Sequence, residues 1–157
     1  MKRLSFLLLA AALTVAGLVA RAADAEPRKL LQNLDQGGVA IQGHDPVAFF
    51  TVGAPVKGKA EFESTYRGAK YRFHSAKNQS AFDADPARYE PQFGGYCAYG
   101  VSRGALVPIK IEAWQIVGGR LLLQKNEGIR DDFNEDAPGN LKKADANWPG
   151  LVAKKGR

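Results

Sequence analysis

The chain has 157 residues, 45% hydrophobic and 24% charged, which is enough for one globular core and short for two. Its 22 basic and 16 acidic side chains give a formal charge of +6, but Lys2, Arg3 and Arg21 lie in a leader-like N-terminal segment. The remaining 19 basic against 16 acidic residues are too mild an excess for a nucleic-acid-binding surface. A single cysteine excludes an internal disulfide and a multi-thiolate zinc knuckle.

Lys2 and Arg3 form a charged n-region, Leu4 to Ala20 is an uncharged and largely apolar run, and Ala20-Arg21-Ala22 has the small residues of a cleavage site. The expectation is a signal peptide over 1–22, leaving a mature domain over 23–157, periplasmic or secreted and not stably inserted in a membrane. The apolar run is shorter than the ~20 residues of a spanning helix.

In chain order, Leu30, Leu31 and Leu34 at helical spacing before Gly37-Gly38 predict a short amphipathic helix over 28–36. Asp45-Pro46 has the pairing of N-cap and first helical residue. Residues 62–66 and 69–74 flank Arg67-Gly68 and predict a hairpin, after which Ser75 caps a helix through Phe82, and Asp85-Pro86 opens another. The pattern then returns. Residues 114–117 and 120–123 flank Gly118-Gly119, Ile129 and Phe133 stand four apart on a helix, and Pro138 opens a last helix ending near Trp148-Pro149. Strands then helices, twice, predict an α+β domain with a small antiparallel sheet built from hairpins and flanked by short helices.

Chemistry has few carriers. His44, His74 and Cys97 are the only histidines and the only cysteine, and no metal-binding pair, phosphate loop or nucleophile elbow accompanies them. Converging, they would make a trigonal copper site or an incomplete zinc site. Apart, His74 is a solvated strand residue or a partner of the next helix start, His44 orders a loop, and Cys97 is a small buried hydrophobe. Tyr71, Tyr96 and Tyr99, polar-tipped aromatics near the only thiol, are candidates for lining a small-ligand site. No catalytic residue is assigned.

Asp45-Pro46-Val47, the hairpin ending Tyr71-x-Phe73-His74-Ser75, Phe82-x-x-Asp85-Pro86-x-x-Tyr89 and Gly94-Gly95-Tyr96-Cys97-Ala98-Tyr99 resemble the exported YHS-domain proteins of bacteria. The resemblance extends through Ala113-Trp114 and Pro138-Gly139-Asn140 to Ala144–Pro149, with a core unit of about 43–100. It implies a strand-strand-helix fold and, from the YHS modules of heavy-metal pumps, metal binding by cysteines after Asp-Pro-Val and in a Phe-Cys-Ser-x-x-Cys stretch. Here Ala48, His74 and Asn78 stand at those positions, so only His74 can still ligate, and His44 stands where exported relatives more often have tyrosine.

The leading expectation is therefore a binding protein for a metal ion, copper before zinc, or for a small ligand. The alternatives are an interaction module with an envelope protein partner and, last, a thiol enzyme using Cys97 with His44 or His74 as base.

Overall fold

The computed structural model describes residues 29–157, and the predicted signal peptide lies outside them. Among the described residues no helix is long and apolar enough to cross a membrane. The first hairpin joins β1 (Lys59–Tyr66) to β2 (Ala69–Phe73), and the second joins β3 (Lys110–Val117) to β4 (Arg120–Gln124). Each is an antiparallel two-stranded sheet of its own. Arg67, with φ 50°, and Gly68, with φ 77°, supply the left-handed pair that a two-residue hairpin turn needs, and Gly118-Gly119 does the same in the second. The register slips at the same place in both, between Lys59 and Glu63 and between Lys110 and Trp114.

Among the described residues six α-helices surround the hairpins: α1 (Ala48–Thr51), α2 (Ala76–Ala84), α3 (Pro86–Tyr89), α4 (Ala98–Ser102), α5 (Glu127–Asn134) and α6 (Ala137–Lys155). Ser75 Oγ caps α2 by accepting from the Asn78 amide, and Asn126 Oδ1 caps α5 by accepting from the Ile129 amide.

Alternation decides which face of β2 is inside. Tyr71 and Phe73 are buried, and their rings lie 4.7 and 5.2 Å from that of Phe82 on α2, while Lys70 on the other face is exposed. This core also takes in Val47, Phe49, Cys97, Ile111, Leu121 and Leu123, and so runs through both hairpins. A second cluster, with Phe93, Ala98, Val101, Leu122, Phe133 and Ala144, seats α6 on α4.

Two predicted elements are corrected. The segment expected as a helix over 28–36 is non-helical where described. The Asn33 amide donates to Gly94 O, Leu30 and Arg157 exchange both backbone bonds, and Leu34 bridges Ala40. Backbone groups committed to distant segments cannot close helical turns, and three leucines at i, i+1 and i+4 do not oblige them to. The last helix does not stop near Trp148-Pro149 but runs through Pro149 to Lys155. Trp148 and Leu151 pack against the second cluster on either side of the proline, whose ring faces solvent.

Candidate functional site

Asp45 is fully buried, yet both of its carboxylate oxygens are hydrogen-bonded. Oδ1 accepts from the amides of Val47 at 2.9 Å and Ala48 at 3.3 Å, which caps the turn leading into α1. Oδ2 accepts from the His74 amide at 3.0 Å, from Asn78 Nδ2 at 2.8 Å and from His74 Nδ1 at 2.7 Å. With five donors around it, the buried carboxylate meets the condition under which such a group is tolerated.

This geometry sets the chemistry of His74. Asn78 Nδ2 also lies 3.2 Å from His74 Nδ1, but a nitrogen that donates its hydrogen to Asp45 has no lone pair for a second donor. The shorter contact to Asp45 therefore assigns the proton to Nδ1 and leaves the lone pair of the neutral ring on Nε2. Among the described residues Nε2 makes no hydrogen bond, and 37% of the side chain stays exposed. A carboxylate behind one ring nitrogen and a free lone pair on the other is the arrangement that orients metal-binding histidines, and equally that of a base.

The three pump-type positions do meet here. Ala48 opens α1 at the capped turn, His74 ends the hairpin, and Asn78 lies one helical turn into α2, all around Asp45. A metal ion would find one ligand among them. Ala48 has none, Asn78 is engaged with Asp45, and the lone pair on Nε2 remains. The set fits a monodentate imidazole site and does not fit a closed thiolate site.

The other two expected ligands are elsewhere. His44 sits in extended backbone, so its ring and the neighbouring Asp45 carboxylate leave the chain on opposite sides. Its Nδ1 lies 3.2 Å from Ile41 O, and burial, with the charge of Lys57, holds the imidazole below its ordinary pKa. Cys97 is buried, donates from Sγ to Gln124 Oε1 at 3.2 Å, and accepts from the Gly100 amide at 3.4 Å. Among the described residues no imidazole is a hydrogen-bond partner of Cys97. Among the described residues no group of three or more His, Cys, Asp and Glu side chains is arranged to hold a metal ion. Among the described residues, then, His44, His74 and Cys97 do not form a three-ligand group, and the hydrogen bonds of His44 and Cys97 run to partners other than those of His74.

The tyrosines are likewise dispersed. Tyr71 is core, its phenol pushed up by burial. Tyr96 Oη donates to Gln32 O at 3.5 Å, and Tyr99 Oη accepts from Arg103 at 2.7 Å. A hollow of about 680 Å³ lies between the N-terminal segment, Phe93 and Trp148, with the pairs Arg67–Glu90 and Arg120–Asp145 in its walls, and none of the three tyrosines lines it.

Asp45 is the residue that sequence reasoning missed. Its sequence signal, an aspartate before proline at a helix start, is local, and two of its five bonds are indeed local. The other three reach 29 and 33 residues along the chain.

Residues 47–92 match the family model of the YHS domain, so the chain carries a YHS domain over that stretch, under a third of its length. No curated protein and no solved structure matches the chain.

Proposed function

We propose that this YHS-domain protein is a metal-binding protein, copper favoured, that presents one imidazole, His74, to an ion whose other ligands come from outside the chain. The observation that carries the reading is the 2.7 Å bond between His74 Nδ1 and the buried Asp45 carboxylate, which fixes the ring and leaves Nε2 as ligand. Imidazole suits copper and zinc alike, and a single protein ligand makes the site open and exchangeable, as a protein that receives and passes on an ion requires. The reading includes export, on the strength of Lys2, Arg3, the apolar run and Ala20-Arg21-Ala22.

Protein purified without an affinity tag and titrated with copper is expected to take up one ion per chain. His74→Ala should lose that uptake while Cys97→Ser and His44→Gln keep it. A folded His74→Ala that binds as wild type would overturn the assignment.

A further inference from the structure

We infer that residues 93–136 are a second copy of the unit formed by residues 41–85, with its ligand position closed by Cys97 and Gln124, so that the chain offers one ligand site and one unit given over to structure. The copy rests on backbone geometry and on residues that recur at a fixed offset. The word ligand rests on the reading of His74 above.

The match is a superposition of particulars. Ile41, Gln42 and Gly43 have φ of 42°, 54° and 74°, and Phe93, Gly94 and Gly95 have φ of 54°, 58° and 78°. Three successive left-handed residues that include isoleucine and phenylalanine are not an accident of composition. After each triplet the same bonds form: His44 N to Ile41 O and Asp45 N to Val56 O in the first, Tyr96 N to Phe93 O and Cys97 N to Val107 O in the second. A short helix, an eight-residue strand, a two-residue turn, a five-residue strand with the same register slip, a side-chain cap and a helix then follow in both. Lys59, Glu61, Gly68, Phe82 and Asp85 recur 51 residues later as Lys110, Glu112, Gly119, Phe133 and Asp136. Phe82 and Phe133 are both fully buried.

This alignment sets Cys97 in the place of Asp45, and the hydrogen bonds agree. Asp45 Oδ1 takes the amides of Val47 and Ala48 in the first unit. The corresponding amides of Tyr99 and Gly100 are taken by Gln124 Oε1 at 3.0 Å and Cys97 Sγ at 3.4 Å, with the thiol donating to the same Oε1. Two neutral side chains thus replace one carboxylate. Lys125 and Ile129 stand where the first unit has His74 and Asn78, so nothing remains to be oriented. Gln124 Nε2 is left buried without a partner, a cost that Phe73 at the matching position avoids, and that is accepted here to cap the Tyr99 amide.

The test rebuilds the first unit's site in the second. In Cys97→Asp/Gln124→Phe/Lys125→His/Ile129→Asn, nitrogen NMR should find the imidazole introduced at position 125 protonated at Nδ1, as at His74, and copper uptake should rise from one to two ions per chain. A folded variant whose new imidazole is a mixture of tautomers overturns the copy. Should the variant not fold, amide exchange in single variants decides. Cys97→Ala should speed exchange at Gly100, and Gln124→Leu at Tyr99, by about tenfold for one lost hydrogen bond of ordinary strength; unchanged exchange at both overturns the copy. The Nδ1 tautomer at position 125 with no copper bound by wild type defeats the metal reading and leaves the copy standing. One copper per chain with mixed tautomers does the reverse.

Discussion

Asp45 and Cys97 lie at matching points of two matching halves, each buried and each closing the backbone turn that enters a short helix, yet only one of them reaches outward. The carboxylate has lone pairs to spare after the local amides are satisfied, and it spends them on His74 and Asn78. The thiol is a weak acceptor and needs Gln124 to complete the same turn, with nothing left over. One scaffold therefore supports a poised histidine in one half and a closed core in the other, and the difference lies in the acceptor capacity of one side chain.

The largest expected effects bear on what the halves share. Phe82→Ala and Phe133→Ala each remove a fully buried ring and should each cost about 3–5 kcal/mol in chemical denaturation. A large loss from one and almost none from the other would show that only one hairpin–helix pair is integral to the fold.

Next comes the pair that differs. Asp45→Ala strands the amides of Val47, Ala48 and His74 and should cost on the order of 3 kcal/mol. Cys97→Ala strands the Gly100 amide alone, a long bond to sulfur, and should cost about 1 kcal/mol. Equal losses in urea unfolding would erase the contrast.

The sequence made the shared part of this comparison legible and hid the rest. Glycine at both hairpin turns, the Ser75 cap and the alternation of Tyr71 and Phe73 are local signals, and local signals survive translation into structure. His74 was legible as the one ligating residue left at the pump-type positions. Its link to Asp45 was not, because a bond between residues 29 apart is created where the turn before α1 meets the end of the hairpin and has no periodicity to betray it. The N-terminal leucines misled for the opposite reason. Their spacing suits a helix, but hydrogen bonds to Gly94 and to Arg157, at the far end of the chain, claim the backbone.

A smaller effect concerns His44. Burial lowers the His44 pKa, helped by Lys57, while hydrogen bonds to the Ile41 and Gln42 backbone and the charge of Glu112 oppose it, so the folded protein takes the proton less readily than the unfolded chain. That contribution to stability is complete above the unfolded value of about 6.5 and is lost as pH falls through that value toward the lower, folded one. Below about pH 6.5 the wild type should therefore lose more melting temperature on acidification than His44→Gln does; identical pH dependence in the two proteins would contradict the burial of the ring. Lys70→Ala, on the exposed face of β2, sets the floor at within about 0.5 kcal/mol.

The central claim, that Asp45 holds His74 with Nε2 free to ligate, is tested most directly by Asp45→Asn. An amide can still accept from Val47, but the nitrogen turned toward His74 Nδ1 can no longer take its proton. The account predicts copper affinity lowered about 10–100-fold, as for the loss of a carboxylate behind a metal-bound histidine, together with loss of the fixed Nδ1–H tautomer in nitrogen NMR. A folded Asp45→Asn protein with wild-type affinity and an unchanged tautomer would contradict it.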